Sequence, residues 1–361
     1  MNKKIIWFVI VAVIIIVTVA GISARHSPSP TGIQPIKIGV ILPLSGPAAA
    51  FGEPGKHAVD LALSHLTADE RSKIEIVYGD DQLDTKQTTS VAQKLIDVDG
   101  VSAIVAWSSP TSVVASYIAE KNGIPMIGLG NSPEINTGKQ WVIRYMLGPV
   151  QQAKAIIDML LTGKYTKVAM VWNQSDGPKS VHDELVKLLP ADGLTVVADE
   201  SVTKGENDFK TSISKLKAAK PEAIIAYISP QVGVFAKQAK DQQLDIPLVS
   251  GPTFEIVEQI KAAQGGLDNQ LFVGTDNTSF IDEFHSKYGS YPTIAGDFLY
   301  DAVTEIAHAV NGSDGSKPEI IKYLKQSFSG VAGKYSYNGD GSFDIGQVVK
   351  KWDGQKFVVV K

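Results

Sequence analysis

Two short polar stretches stand where apolar runs end. Val101–Ala106 leads into Trp107-Ser108-Ser109-Pro110-Thr111, and Ile124–Leu129 into Gly130-Asn131-Ser132-Pro133. Hydroxyls such as those of Ser108 and Ser109, set beside the unpaired N–H groups of a helix start, can hold a carboxylate. The same residue types also serve as plain helix caps and turn formers, and both readings stay open for Ser108, Ser109, Asn131 and Ser132. Farther along, Asp176 follows the run Thr166–Trp172, Ser229 follows Ala223–Ile228, and Thr253-Phe254-Glu255 follow Pro247–Ser250. Each alone reads as an ordinary loop residue; together they would furnish the opposite wall of a cleft.

A third candidate is the loop Pro43–Gly52, small-residue throughout except Leu44 and Phe51. It lets a ligand approach backbone N–H groups, or it is small because it turns tightly. Asn338, Asp340, Ser342 and Asp344 alternate like half of a calcium loop, without the bidentate Glu that completes one, so a hairpin turn explains them. Glu53 and His57 are spaced as a solvated helical pair. The six histidines make no metal-ligand spacing. No nucleophile elbow, phosphate loop or dinucleotide fingerprint is present, so the residues give no positive case for an enzyme or a cofactor. With no cysteine, disulfides, thiol catalysis and a lipid-modified N-terminal Cys are excluded.

The elements that would position these residues alternate. Ile36–Leu42 is a nearly continuous apolar run, as in a strand buried on both faces. Strands at Lys73–Asp80, Val101–Ala106 and Ile124–Leu129 alternate with helices at Thr85–Val98 and up to Lys121. The pattern breaks at Gly148-Pro149 and restarts at Thr166–Trp172, with strands through Leu271–Gly274. Two such sets argue for α/β architecture with two doubly wound parallel sheets. Thr293–Val310 and Pro318–Ser327 read as helices, and Lys334–Tyr337, Gln347–Trp352 and Phe357–Val360 as antiparallel strands joined by Gly-containing turns.

Composition sets the class. The chain has 361 residues, 44% hydrophobic and 20% charged, with a net charge of −4, which is ordinary for about two domains. No basic block appears, which argues against nucleic acid as a partner. Lys3 and Lys4 precede the apolar run Ile5–Ile22, roughly 27 Å long as a helix. It is expected to be a signal-anchor or signal peptide (1–24), followed by a Pro/Ser linker (25–34), with the folded part outside the cytoplasm.

Four stretches together resemble a known family: Ile36–Gly52 (IKIGVILPLSGPAAAFG), Tyr78–Thr88 (YGDDQLDTKQT), Ser108–Ser132 with IAEKNGIPMI inside it, and Gly205–Lys217 (GENDFKTSISKLK). They are similar to periplasmic solute-binding proteins of the branched-chain amino-acid type, the receptors of ABC transporters. The resemblance implies a type I periplasmic binding fold, two lobes joined by a three-crossover hinge, with lobe 1 at 35–147 plus 277–330 and lobe 2 at 148–276 plus 331–361. It implies that Ser109 and Ser132, beside Asn131, meet a ligand carboxylate and ammonium, and that Phe51 covers the ligand. The second lobe departs from the family pattern: an expected tyrosine is replaced by Asp176 or lost in a shortened loop, Ile228 or Ser229 stands where another aromatic is common, and Thr253 stands where an acid often meets the ammonium, with Asp176 or Glu255 as substitutes. An amino acid, an amide, a carboxylic acid or another small polar solute remains open. The implied partners are an ABC transporter permease and, through the N-terminal helix, the membrane; the alternative is a membrane-anchored sensory domain of the same fold.

Overall fold

The computed structural model describes residues 34–360. The apolar run Ile5–Ile22 and nearly all of the linker lie outside the described residues. Among the described residues no helix is long and apolar enough to cross a membrane.

The first sheet is parallel throughout and runs β2-β1-β3-β4-β5, from β1 (Ile36–Leu42), β2 (Ile74–Asp80), β3 (Ala103–Trp107), β4 (Met126–Leu129) and β5 (Val142–Arg144). β1 shows why its run lacks alternation. Ile38, Val40 and Leu42 pack on one face with Ala58 and Val59, while Ile41 packs on the other with Leu95 and Ile104. Both faces are covered by helices, so every position after Lys37 is buried.

The second sheet holds β6 (Lys167–Asn173), β7 (Thr195–Val202), β8 (Ala223–Tyr227), β9 (Leu248–Ser250) and β10 (Leu271–Gly274), all parallel. Beyond it come β11 (Phe328–Gly330), β12 (Gly333–Tyr337), β13 (Phe343–Ile345), β14 (Val348–Trp352) and β15 (Phe357–Val359). β14 extends the second sheet antiparallel to β10 and β15 pairs antiparallel with β14, giving the order β15-β14-β10-β9-β8-β6-β7.

The expected lobe boundary at residue 331 needs correction. β11, β12 and β13 form a separate antiparallel sheet that packs on the first sheet. Tyr335 packs its ring at a tilt against Tyr145 at 5.1 Å and donates to Asp301 at 2.8 Å, and Arg144 N–H donates to the Gly341 carbonyl at 2.8 Å. Burial of Tyr335 and Phe343 against Tyr145 decides this placement, and residue spacing in the tail does not reveal it. The chain therefore passes between the two sheets at 145–148, 275–277 and 346–347. The calcium-like stretch is a hairpin, with Asn338 N–H bonded to Ser342 and the Asp340 carboxylate capping Ser342 N–H at 2.8 Å.

Helix Gly296–Asn311 packs on helix Gly52–His65 and on β3. It starts three residues later than the apolar pattern suggests because Ala295, at φ 61°, is left-handed.

Candidate functional site

An open cavity of about 430 Å³ lies between loops that leave the carboxyl ends of strands in both sheets. Both sheets reverse their strand order beside it, at β1/β3 and at β6/β8, the place where open α/β sheets bind ligands. β3 contributes Trp107, Ser108 and Ser109; β4 contributes Gly130 and Asn131; β6 contributes Asp176; β8 contributes Ser229; and β9 contributes Thr253.

The first wall is built on helix Ser109–Lys121. Ser108 caps it at φ 78°, a backbone conformation rare for a residue with a Cβ, which costs on the order of 1–3 kcal/mol. Ser108 N–H donates to the Leu129 carbonyl at 2.9 Å, so the strained residue stitches the ends of β3 and β4 together. Asn131 N–H donates to Ser109 Oγ, also at 2.9 Å. Gly130 makes this approach possible, since a Cβ there would lie 2.6 Å from Ser109 Cα. Among the described residues the N–H groups of Ser109 and Thr111 find no partner.

Hydroxyl directions follow by elimination. Thr111 Oγ1 donates to the Trp107 carbonyl at 2.5 Å, so in its 3.0 Å contact with Ser108 Oγ the donor must be Ser108. Ser108 is left with acceptor capacity only. Ser109, already accepting from Asn131, keeps its own proton to give away. On the opposite wall Ser250 Oγ donates to the Ala226 carbonyl and Thr253 must donate to Ser250, both at 2.8 Å. Thr253 is thus a second acceptor. The cavity offers a donor cluster at Ser109 and acceptors at Ser108, Thr253 and the exposed Asp176. That arrangement matches a carboxylate and an ammonium.

The second wall is fixed by Asn173, buried at the end of β6. Its Nδ2 donates to the Ser229 carbonyl at 2.6 Å, and its Oδ1 accepts from Ser175 Oγ at 3.0 Å. Asp176 then opens helix Asp176–Leu188. The walls come close at Gly177, where a Cβ would sit 3.8 Å from Asn131 Nδ2.

Two expected site residues stand outside the cavity lining. Phe51 stacks on Trp107 at 5.4 Å, and Trp107 meets the cavity in its place. Ser132 begins the short 3-10 turn at 133–135. The Pro43–Gly52 loop winds into a 3-10 helix at Gly46–Phe51. Its Leu44 and Ser45 N–H groups bond Asp80 Oδ1 at 2.9 and 3.2 Å, and the Ser45 hydroxyl bonds Oδ2 at 2.5 Å. Partial burial alone would raise the Asp80 carboxyl, but these bonds hold it below the usual range. Gln152, Tyr227 and Lys204 are among the lining residues that escaped the sequence reading. Tyr227 is the last residue of β8 and looked like ordinary strand core; its hydroxyl bonds Gln152 Oε1, whose Nε2 donates to the Leu147 carbonyl at 2.8 Å.

Residues 35–343 match the model of the periplasmic binding protein family. The chain belongs to that family. A relative from Brucella abortus, a Leu/Ile/Val-binding protein homolog, is 28% identical over 333 residues, covering 86% of this chain and 88% of the relative. A branched-chain amino-acid transporter substrate-binding protein from Streptococcus pneumoniae, crystallised with isoleucine, is 25% identical with a TM-score of 0.79, covering 91% and 99% of the two chains. An ABC-transporter solute-binding protein from Rhodopseudomonas palustris in complex with 3,4-dihydroxybenzoic acid shares the fold at 20% identity, with a TM-score of 0.80 and 91% and 96% coverage. Members of the family bind solutes and do not catalyse reactions, and membership puts the folded part outside the cytoplasm. The architecture above is the family's type I periplasmic binding fold.

Proposed function

We propose that the protein captures a small polar solute bearing a carboxylate, an amino acid or a related amide or acid, and delivers it to the permease of an ABC transporter. The observation that carries this reading is the start of helix Ser109–Lys121, where the Ser109 hydroxyl proton and the Ser109 and Thr111 N–H groups are uncommitted beside the cavity. A helix N-terminus favours an anionic oxygen by dipole as well as by hydrogen bond. Ser108, Thr253 and Asp176 supply acceptors for an ammonium. Two of the named relatives, the Leu/Ile/Val-binding protein homolog and the branched-chain amino-acid transporter substrate-binding protein crystallised with isoleucine, support an amino acid as the ligand, and the one in complex with 3,4-dihydroxybenzoic acid supports an acid.

The two sheets with their helices act as lobes, and the three passages at 145–148, 275–277 and 346–347 act as the hinge. Solute held by the first wall gains contacts with Asp176, Ser229 and Thr253 as the lobes approach. It favours the closed state only by its differential affinity for it, and the permease reads that closed shape. The run Ile5–Ile22 keeps the protein tethered to the membrane.

Calorimetric titration of the full-length protein with amino acids and small amides and acids tests the reading. Saturable binding that Ser109→Ala weakens on the order of tenfold is expected, as for one charge-assisted hydrogen bond. Binding unchanged in Ser109→Ala sinks the carboxylate assignment. A mature chain that begins at Gly21 or Arg25 rules out the tether.

A further inference from the structure

The far wall carries a cation that carboxylate capture at Ser109 does not use. Lys204 lines the cavity on the loop after β7. The bond from Gln174 N–H to the Val202 carbonyl at 3.0 Å joins that loop to the end of β6, the strand that leads to Asp176. Among the described residues Lys204 has no salt bridge, and Asp176 in the same cavity has none either. The acidic groups along β7 and its loop are engaged elsewhere: Asp199 with Trp172 and His182, Glu200 with Lys215, and Glu206 with the N–H groups of Asn207 and Asp208.

A branched aliphatic side chain reaching this wall would strip water from Lys204 and Asp176 and return no hydrogen bond, which is unfavourable. A site that offers a polar partner discriminates against ligands that lack the matching group. Between the walls, Trp107, Leu129 and Met146 give an apolar strip suited to methylenes.

We propose that the ligand is a bipolar amino acid, with a carboxylate or amide at the end of its side chain, and that Lys204 is the residue that selects it. This rests on the reading of Ser109 as the α-carboxylate site. In the bound state Lys204 Nζ donates to the side-chain carboxylate or carbonyl oxygen, Ser109 holds the α-carboxylate, and Asp176 faces the ammonium.

The test is calorimetric titration of the full-length protein with glutamate, glutamine and leucine, repeated in Lys204→Met, Lys204→Arg and Ser109→Ala. Glutamate or glutamine is expected to bind at least tenfold tighter than leucine. Lys204→Met should remove that preference, weakening glutamate and glutamine at least tenfold and tightening leucine, and Lys204→Arg should keep most of it. Leucine binding as tightly as glutamate and glutamine, with Ser109→Ala still weakening it, overturns the role of Lys204 and leaves the carboxylate site standing. Equal weakening of all three ligands by Lys204→Met also overturns it, by showing a general charge effect. If no amino acid binds, or if Ser109→Ala changes nothing, the underlying reading fails along with this one.

Discussion

The backbone N–H of Asn131 donates to the hydroxyl of Ser109 across 2.9 Å, and this bond decides which way the serine proton can point. With one lone pair occupied from β4, Ser109 is turned into a donor toward the cavity. Replacing Ser109 by alanine removes that donor and leaves Asn131 N–H without its partner. Affinity for the captured solute should fall about tenfold or more, while calorimetric melting shows a folded protein; the two readouts together separate a binding role from a capping role.

Gly130→Ala tests the same geometry from the backbone. The new Cβ would lie 2.6 Å from Ser109 Cα and 2.8 Å from its N, so the helix start must shift. Affinity should drop at least as far as in Ser109→Ala, since the helix N–H groups move too. Wild-type affinity in Gly130→Ala would show that the helix start is not where the ligand sits.

Tyr227→Phe removes the hydroxyl that bonds Gln152 Oε1, and both residues are buried. An unsatisfied buried acceptor costs roughly 1–3 kcal/mol, which thermal unfolding will read as a lowered Tm. Because Gln152 also holds the Leu147 carbonyl in the first passage between the sheets, the variant should alter ligand-induced closure measured by small-angle scattering.

Lys350 is fully buried and bonds both Glu255 and Asn277. Asn277 in turn donates to Asp297 at 2.9 Å, at the start of helix Gly296–Asn311. Lys350→Met strands the Glu255 carboxylate and should cost about 3–5 kcal/mol. The double variant with Glu255→Gln should recover much of this in chemical denaturation; no recovery would mean that the loss comes from packing of the lysine stem.

Burial raises the Asp301 carboxyl to about 7, against bonds from Ala332, Val331 and Tyr335 that lower it. Its folded value thus lies above the unfolded value of about 4, so between those two values the folded state binds the proton more tightly. Stability from this group is full below pH ~4 and falls as pH rises toward 7, by at most about 4 kcal/mol. Asp301→Asn should be flat over the same range. Parallel Tm-versus-pH curves for the two proteins would refute the shift.

The periodic parts of the fold were legible because burial on both faces writes itself into a run such as Ile36–Leu42. The same holds for the strand-end loops around Ser108, Asn131, Asp176, Ser229 and Thr253, which α/β topology brings to one cavity. The destination of β12 and β13 was not legible. Strand character at Lys334–Tyr337 is local, whereas its sheet is set by Tyr335 meeting Tyr145 and Asp301 across the chain. Phe51 illustrates a related limit: the sequence shows an aromatic in the right loop, but its stacking on Trp107 depends on the neighbouring strand. Lys204 carries no signal at all, being one lysine among many until the loop after β7 is folded against β6.

The three passages between the sheets also bear on how the chain is made. The sheet that begins with the first described strand has its packing partner β13 only at Phe343–Ile345, and the second sheet receives β15 only at Phe357–Val359. Neither half is a contiguous stretch of message, so neither can complete its core while translation is under way, and long-range closure of this kind is slow. A polypeptide whose two cores both wait for the C-terminal strands stays unfolded longer after synthesis, which suits one whose folded part lies outside the cytoplasm.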